Sequence, residues 1–336
     1  MLLLFYLTVM TIYAFVLFGI DKRRATKDTK HRIPERKLIA FTVLGGAIGS
    51  GLGMVIFWHK VNKKKFYITV PVFVILTLLV TGACFYMNLH LTVSEYEYVS
   101  EEIPPKLDGC RIVQVSDLHN QFYGFHEQAL TNRIAELKPD IIVVTGDVVD
   151  CHFTNYKLAL RFFEGAVKIA PVYYVTGNHE GRLSGKRYED FKRQMDELGV
   201  HRIDNTKVEL EGLTIIGIGD DDLAVPPREL QTDEGFCICL AHEPMYYNRY
   251  LALGADIAFV GHMHGGQIII PGKGGFISPD FTFFPELYAG AHDYTLKTGQ
   301  AMTMYISRGL GNSVLPLRIN NYPELVAVTL RSAAAR

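Results

Sequence analysis

The sequence predicts an α/β domain preceded by an α-helical membrane region. Three observations carry this prediction. The first ninety residues contain three long, uncharged apolar stretches. They also hold 12 Lys and Arg against 3 Asp and Glu, whereas the rest of the chain holds 22 against 32. In that second part, short apolar runs alternate with helical patterns, and most of the runs end in a carboxylate or an imidazole.

The N-terminal apolar stretches cover residues 2–20, 38–58 and 66–87. Each is long enough to cross the hydrocarbon core of a bilayer as a helix. A cleaved signal peptide is the weaker interpretation of the first stretch, because no basic segment precedes it and two further apolar stretches follow. We therefore predict a multi-pass membrane anchor over residues 1–90.

The second stretch leaves two interpretations open. Gly45, Gly49 and Gly53 recur every four residues, a spacing that lets helix backbones approach closely. The same stretch holds five glycines within nine residues, which is equally consistent with a loosened segment that re-enters the membrane without crossing it.

The predicted orientation depends on two basic loops. Residues 21–37 carry 8 Lys and Arg, and residues 59–65 carry 4. Basic loops favour the cytoplasmic side. Three full crossings would put these loops on opposite sides and the large domain in the cytoplasm. A re-entrant second stretch would keep both loops inside and the domain outside the cell membrane, and we favour this arrangement.

Residues 91–108 are predicted as a linker, because they combine charges with Pro104-Pro105, and residues 109–331 as one domain. The predicted helices of that domain cover residues 127–139, 155–171 and 187–200, where apolar residues recur at helical spacing. The predicted strands cover residues 111–117, 141–147, 172–178, 213–220, 236–243, 257–264, 302–309 and 324–330. This order favours stacked sheets flanked by helices over one doubly wound sheet.

Polar side chains follow five of these strands where the strands end. They are Asp117 and His119, Asp147, Asn178 and His179, His242, and finally His262 and His264. Ligands collect at the carboxyl ends of strands in open α/β sheets. Mixed imidazole and carboxylate groups suit Zn²⁺, Mn²⁺ or Fe, and they are too many for one tetrahedral ion. We therefore predict two divalent metal ions that share one carboxylate and clamp a phosphoryl group.

The motif order D-x-H, GD, GNHE, H, GHxH resembles the calcineurin-like metallophosphoesterase superfamily. The segments "TGNHE", "GHMHGGQIIIP" and "SRGLGNSVLPLRINNYPEL" are most similar to its membrane-associated bacterial branch, over about residues 109–331. The resemblance implies a four-layer α/β/β/α sandwich, a dinuclear metal centre and a metal-dependent phosphoric ester hydrolase.

The resemblance also implies a role for each strand-end residue. Asp117, His119 and His264 would bind the first metal, Asp147 would bridge, Asn178, His242 and His262 would bind the second, and His179 would be catalytic. In that role His179 is not a ligand but protonates the leaving oxygen or stabilises the phosphoryl charge.

The N-terminal region resembles a small uncharacterised family of bacterial multi-pass membrane proteins. The resemblance covers roughly residues 5–80 and rests on "FGIDKRR", "RIPERKL", "LGGAIGSGLGM" and "HKVNKKKFY". It implies no activity.

The sequence narrows the substrate without identifying it. A protein phosphatase is disfavoured, because the superfamily pattern GDxxDRG reads GDVVDCH at residues 146–152. The net charge of −1 gives no general attraction to nucleic acid. A basic anchor joined to an acidic hydrolase favours a lipid or cell-envelope phosphoester. Related enzymes cleave the pyrophosphate of UDP-2,3-diacylglucosamine. The alternatives are a general phosphodiesterase on soluble substrates and a non-catalytic membrane scaffold, which would lack metal ligands.

Two further features carry hypotheses about substrate binding. The aromatic-rich segment 271–294 could form a lid or a shelf for acyl chains, or it could be an ordinary packed loop. Arg308 and Arg318 follow a predicted strand and could grip a substrate phosphate through two hydrogen bonds. The alternative for each arginine is a surface ion pair.

Overall fold

The structure is a computed structural model that describes residues 2–27, 31–220, 228–232, 235–296, 299–312 and 317–333. The chain divides into two compact units, of which the first extends to Tyr86 and the second begins at Met87.

The first unit is helical. It contains α1 (Leu2–Lys27), α2 (Glu35–Phe41), α3 (Ala47–Ile56) and most of α4 (Lys64–Leu89). Three helical stretches are long and apolar enough to cross a membrane, namely Leu4–Lys27, Glu35–Ile56 and Lys64–Leu89. They overlap the three apolar stretches that the sequence predicts.

Helices α2 and α3 form a hairpin rather than one continuous rod. The residues between them, Thr42–Gly46, include Gly45 at a φ of 102°, a conformation that favours glycine. The Thr42 and Ser50 hydroxyl oxygens lie 2.7 Å apart. Eight residues along a straight helix would separate them by about 12 Å. The chain therefore reverses direction at Gly45.

Other glycines of the second stretch let α3 approach α1. A Cβ atom at Gly49 would overlap the main-chain carbonyl of Thr11, and one at Gly53 would lie 2.6 Å from Cβ of Phe18. Different glycines of this segment thus have different roles in the structure. Gly45 makes the reversal, and Gly49 and Gly53 make the close helix contact.

The hairpin starts and finishes at the same end of the unit, where Asp21 is fully buried at the end of α1. The Oδ1 atom of Asp21 accepts a hydrogen bond from the Ile33 amide at 3.1 Å, and its Oδ2 atom lies 2.7 Å from Nε2 of His59. Nζ of Lys60 lies 2.8 Å from Oε1 of Glu35. The segment before α2 therefore meets the segment after α3.

The second unit is built on two six-stranded sheets. Its strands are β1 (Thr92–Ser100), β2 (Arg111–Val115), β3 (Ile141–Thr145), β4 (Val172–Val175), β5 (His201–Arg202), β6 (Thr206–Leu210), β7 (Leu213–Gly217), β8 (Phe236–Leu240), β9 (Ile257–Val260), β10 (Ile269–Ile270), β11 (Gly274–Gly275), β12 (Gly290–Thr295), β13 (Ala301–Ile306) and β14 (Glu324–Ser332). The first sheet has the order β1-β14-β2-β3-β4-β5, and the second has the order β12-β13-β9-β8-β7-β6. Strands β10 and β11 form a separate antiparallel pair.

Helices cover the outer face of each sheet. Helices α5 (Gln128–Glu136), α6 (Tyr156–Ala166) and α7 (Lys186–Leu198) share an apolar core with the first sheet, and α8 (Tyr247–Ala252) shares one with the second. A third core, which includes Val143 and Phe259, fills the space between the two sheets. The four-layer α/β/β/α sandwich implied by the resemblance is confirmed.

Strand β1 corrects the predicted linker over residues 91–108. All nine residues of β1 pair in parallel with the nine residues of β14. Tyr96 and Tyr98 pack against the core between the sheets, while Glu97 is exposed. This is the two-residue period of a strand with one face in water. Glu95 and Glu97, two of the charges that suggested a linker, lie on that wet face.

Candidate metal centre

Five loops at the carboxyl ends of strands carry the site. The structure brings together all eight strand-end residues predicted from the sequence. Asp117 and His119 follow β2, Asp147 follows β3, Asn178 and His179 follow β4, His242 follows β8, and His262 and His264 follow β9. Because β2 to β4 are parallel in one sheet and β8 and β9 in the other, their carboxyl ends meet at one edge of the sandwich.

Asp117, His119 and His264 form the first cluster, with ligand atoms close enough to hold one ion. Nε2 of His119 lies 3.1 Å from Nε2 of His264, and Oδ1 of Asp117 lies 3.5 Å from the latter nitrogen. Burial lowers the pKa of His119 to about 3 and holds the pKa of His264 well below its usual value. Both rings are therefore neutral, which is the form that binds metals.

Asn178, His242 and His262 form the second cluster. Oδ1 of Asn178 lies 3.1 Å from Nε2 of His242 and 3.1 Å from Nδ1 of His262. Nδ1 of His242 donates a hydrogen bond to the carbonyl of Thr145 at 2.8 Å, so its Nε2 atom faces the cluster. Burial lowers the pKa of His262 to about 4, which keeps this ring neutral. Burial would also lower the pKa of His242, but the charge of Asp147 holds it well above its usual value.

Asp147 lies between the two clusters. Its Oδ2 atom is 3.4 Å from Nε2 of His119 and 3.2 Å from Nε2 of His242. Burial would raise the pKa of this carboxyl, but the neighbouring imidazoles, His242 first, hold it well below its usual value. One ionised oxygen therefore faces both clusters.

The backbone is strained at most of the predicted ligands. Positive φ values occur at Asp117 (51°), His119 (44°), Asp147 (54°), His262 (69°) and His264 (48°). Each non-glycine residue in this region costs on the order of 1 kcal/mol or more. Such strain persists only where the surrounding structure enforces it, and it concentrates at functional sites.

Glu180 holds the Asp147 loop in place. This fully buried carboxylate accepts hydrogen bonds from the main-chain amides of Asp147 at 2.7 Å, Val149 at 3.0 Å and Gly177 at 2.9 Å. Burial, reinforced by the charge of Asp147, raises the pKa of Glu180 to about 8. The sequence reasoning gave Glu180 no part in holding that loop; its place in the GNHE motif was the only available signal.

Two glycines allow the ligand-bearing loops to touch. A Cβ atom at Gly261 would overlap the Ser116 hydroxyl and the Asp117 carboxylate. A Cβ atom at Gly177 would overlap the Asp147 carboxylate. Larger residues at either position would therefore displace a predicted ligand.

His179 is oriented by the loop that follows Asp147. Its Nδ1 atom accepts a hydrogen bond from the Cys151 amide at 3.1 Å, so Nε2 carries the ring proton. Burial lowers the pKa of His179. Its ring lies close to His119, with centroids 4.5 Å apart. His179 is thus a neutral hydrogen-bond donor beside the first cluster.

A cavity of about 480 Å³ opens beside the second cluster. Asn178 and His262 form part of its wall, and Arg182, Glu243 and Asp280 contribute charged side chains. The sequence reasoning missed these last three residues, because loop residues far apart in sequence carry no shared pattern.

The structure gives Arg318 a different role from the predicted substrate contact. Arg318 is fully buried, and its Nη2 atom donates hydrogen bonds to the carbonyls of Arg308 (2.9 Å), Gly309 (3.2 Å) and Gly311 (2.6 Å). A guanidinium enclosed in this way does not reach a substrate phosphate, so the prediction for Arg318 is wrong. Arg318 instead holds the Gly309 loop, which lies directly against Asp117.

Arg308 is also engaged elsewhere. Its Nη2 atom lies 2.9 Å from Oε1 of Glu324, which is itself buried at the start of β14. Arg308 is therefore engaged by a buried carboxylate and not by the predicted substrate, and its ion pair with Glu324 does not lie on the surface. It ties the loop after β13 to the neighbouring strand of the other sheet.

Two protein families match the chain. Residues 110–266 match the calcineurin-like phosphoesterase family, and residues 11–66 match a protein family of unknown function, DUF1294. The two matches fall on either side of the boundary between the membrane-type helices and the sandwich.

Curated relatives repeat this division. The chain is 29% identical over 266 residues to the uncharacterized metallophosphoesterase YkuE of Bacillus subtilis, covering 75% of this chain and 90% of that protein. It is 25% identical to a transmembrane protein with metallophosphoesterase domain from Danio rerio, covering 72% of this chain and 57% of that protein. Its N-terminal part is 36% identical over 76 residues to the uncharacterized protein YsdA of Bacillus subtilis, covering 23% of this chain and 84% of that protein.

Motifs, sandwich and family matches agree on one assignment. Behind an N-terminal region that matches the DUF1294 family, the chain carries a calcineurin-like phosphoesterase domain, which acts as a hydrolase of phosphoric esters.

Proposed function

We propose that the protein is a membrane-anchored phosphoesterase that uses two divalent metal ions to hydrolyse a phosphodiester, phosphomonoester or pyrophosphate bond of a lipid or cell-envelope substrate. The observation that supports this most directly is the position of Asp147, whose Oδ2 atom faces both ligand clusters. A carboxylate oxygen that faces imidazoles of both clusters is placed where it would bridge two ions.

The donor atoms fit two ions of the Mn, Fe or Zn type. Asp117, His119 and His264 would hold one ion, Asn178, His242 and His262 the other, and Asp147 would bridge them. A bound pair would supply a hydroxide nucleophile and neutralise charge on the phosphoryl group.

His179 would act on the leaving group. Its Nδ1 atom accepts a hydrogen bond from the Cys151 amide, and Nε2 therefore carries an N–H that would stabilise the negative charge on the departing oxygen. Cys151 contributes through its main chain, so a side-chain substitution there leaves this contact intact.

A lipid substrate is supported by the loop between β11 and β12. Phe281, Phe283 and Phe284 in this loop are 63%, 61% and 46% exposed, which is unusual for large apolar side chains. Phe276 stacks edge-on against both Phe283 and Phe284, with centroids 5.5 Å and 5.4 Å apart. Asp280 of the same loop lines the cavity beside the second cluster. These rings would therefore form a shelf for acyl chains next to the reacting phosphate.

The proposed orientation follows from the helical hairpin. Both basic loops lie at one end of the first unit, because Asp21 contacts His59 and Glu35 contacts Lys60. Helices α2 and α3 would enter and leave the bilayer on that side, and α1 and α4 would cross it. With the basic loops in the cytoplasm, the chain after α4 would lie outside.

The test uses the full-length protein in detergent, stripped of metal with a chelator and then supplied with Mn²⁺, Zn²⁺ or Fe²⁺. Hydrolysis is measured on a chromogenic phosphodiester, the matching monoester and a phosphoester lipid in mixed micelles. We expect metal-dependent activity that is highest on the lipid. Higher activity on a soluble ester would favour the general phosphodiesterase. A metal-loaded, folded protein without activity on any ester would favour the scaffold.

The acyl-chain shelf is tested by Phe283→Ser, with Val99→Ser as an exposed apolar control on β1. Losing one ring of buried contact predicts about a tenfold loss on the lipid ester, and we expect little change on the soluble ester. Equal losses on both esters would contradict the shelf.

The orientation is tested in intact cells by labelling cysteine variants with a membrane-impermeant maleimide. We expect Lys106→Cys to react from outside and Lys65→Cys to react only after permeabilisation. The opposite pattern would place the hydrolase in the cytoplasm.

A further inference from the structure

The first unit carries a groove of about 550 Å³ beside α2 and the start of α4. Its wall is apolar and its mouth is cationic. Ile39, Ala40, Val43 and Leu44 form the wall, and Arg36 and Lys65 lie at the mouth. The groove is far along the chain from every residue of the metal centre, and the hydrolase does not require it.

The charges at the mouth are available to a ligand. Glu35 is the one acidic residue that lines the groove, and its Oε1 atom already lies 2.8 Å from Nζ of Lys60 and 2.5 Å from Nζ of Lys63. Within the described ranges of the first unit, no carboxylate pairs with Arg36 or Lys65, and both side chains are exposed. The mouth therefore presents net positive charge.

The wall has the length of a hydrocarbon segment. From Arg36 to Leu44 the chain rises about 12 Å as helix. It ends where the hairpin turns and where the Tyr6 hydroxyl donates a hydrogen bond to the Leu44 carbonyl. Val43 and Leu44, at the end of the groove next to the hairpin turn, remain 44% and 56% exposed. A ligand that fills this space has an anionic head and a hydrocarbon tail.

We propose that this groove binds an anionic phospholipid, with the phosphate between Arg36 and Lys65 and an acyl chain along Ile39, Val43 and Leu44. Basic pockets between membrane helices recognise anionic head groups in this way. A free phosphate would use the mouth alone, and a choline lipid would bring a cation against two others. The proposal rests on the membrane embedding proposed above and not on the hydrolase reaction.

The test measures lipids that remain bound to the full-length protein in native mass spectrometry, after equal addition of phosphatidylglycerol and phosphatidylcholine. We expect phosphatidylglycerol to be retained severalfold more. Arg36→Gln and Lys65→Gln should each lower that retention about fivefold, the effect of removing one basic residue near an anionic head group. The matched control is Lys37→Gln, which removes an exposed charge from the same helix outside the groove and should change nothing.

A second variant keeps the charges and fills the wall. We expect Val43→Trp to abolish selective retention of phosphatidylglycerol while the helical circular dichroism signal stays unchanged. If Arg36→Gln does not fold, this variant tests whether the groove binds the lipid. Millimolar inorganic phosphate should not displace the lipid.

Four results would overturn the proposal. They are equal retention of both lipids, an equal loss in Lys37→Gln, normal retention in Val43→Trp, and displacement by phosphate. Ester hydrolysis and maleimide labelling test the proposed function independently. A negative result in the lipid-retention test would therefore not change their interpretation.

Discussion

The two units each bury a group of aspartate and histidine side chains, and the two groups are built differently. In the first unit, Asp21 faces the Ile33 amide, Arg32, His59 and Lys60, so its oxygens are fully engaged by the protein itself. In the second unit, imidazole nitrogens face one another, and Nδ1 of both His119 and His264 lacks a hydrogen-bond partner within the described residues.

Backbone conformation does not separate the two groups. Five predicted ligands of the second unit have positive φ, and so do Trp58 and Lys60 on either side of His59 in the first unit. Burial and residue type are alike in both groups, so neither identifies a metal site. What distinguishes the second group is that ring nitrogens of several histidines lie at hydrogen-bond distance from one another, as they would around a shared ion. The first group is therefore complete as it stands, and the second requires a ligand.

The largest effect that would separate the two groups is expected from Asp147→Asn. The amide cannot carry the shared negative charge, so activity should fall by more than about a hundredfold, beyond the loss typical of residues that only support a ligand. Bound metal, measured by elemental analysis, should fall from two ions towards one. Unchanged metal content together with full activity would show that the second group does not differ from the first in its need for a metal.

His179→Ala should give the next largest effect. Removing a proton donor typically costs about a hundredfold or more. The loss should be larger for an alkyl ester than for a nitrophenyl ester, because nitrophenolate leaves without a proton. Metal content should stay at the wild-type level, and a loss of metal would instead make His179 a ligand.

Glu180→Gln should have an intermediate effect. The NH2 group of glutamine would replace one of the two accepting oxygens and face a main-chain N–H, so the Asp147 loop should loosen. Loss of such a supporting residue predicts a metal affinity about tenfold to a hundredfold weaker. The control is Glu189→Gln on α7, whose side chain is 65% exposed, and equal weakening there would exclude a specific role for Glu180.

Asp21→Asn should have the smallest effect on hydrolysis. Removing one partner of a buried charge pair predicts a loss of roughly 3–5 kcal/mol in the free energy of unfolding, confined to the first unit. Hydrolysis of a soluble ester and metal content should not change. A drop in either would show that the two groups are coupled.

The strand-end residues could be predicted from sequence because each follows an apolar run of strand length, and such runs place their carboxyl ends together. The arginines could not, because sequence records the charge of Arg318 but not the three carbonyls that enclose it. Arg308 meets Glu324 only because β14 inserts between β1 and β2. Pairing of β1 with β14 joins residues more than two hundred positions apart, and its alternating glutamates looked like linker charge.

The second apolar stretch shows a different limit of the sequence. Glycines that permit reversal and glycines that permit close packing are the same residue type, so counting them leaves both interpretations open. The structure separates them by φ at Gly45 and by the contact distances at Gly49 and Gly53.

The helical hairpin has a consequence for how the protein is made. The partner that sits nearest to Asp21, His59, is synthesised 38 residues later. At a translation rate of about 5–20 residues per second, that interval lasts about two to eight seconds. During this time Asp21 can meet Arg32 and the Ile33 amide, which follow it by 11 and 12 residues, but not His59. The proposed topology is therefore reached in two stages. Helix α1 is made first, and the second apolar stretch can be fixed as a re-entrant hairpin only after the chain has been synthesised past residue 60.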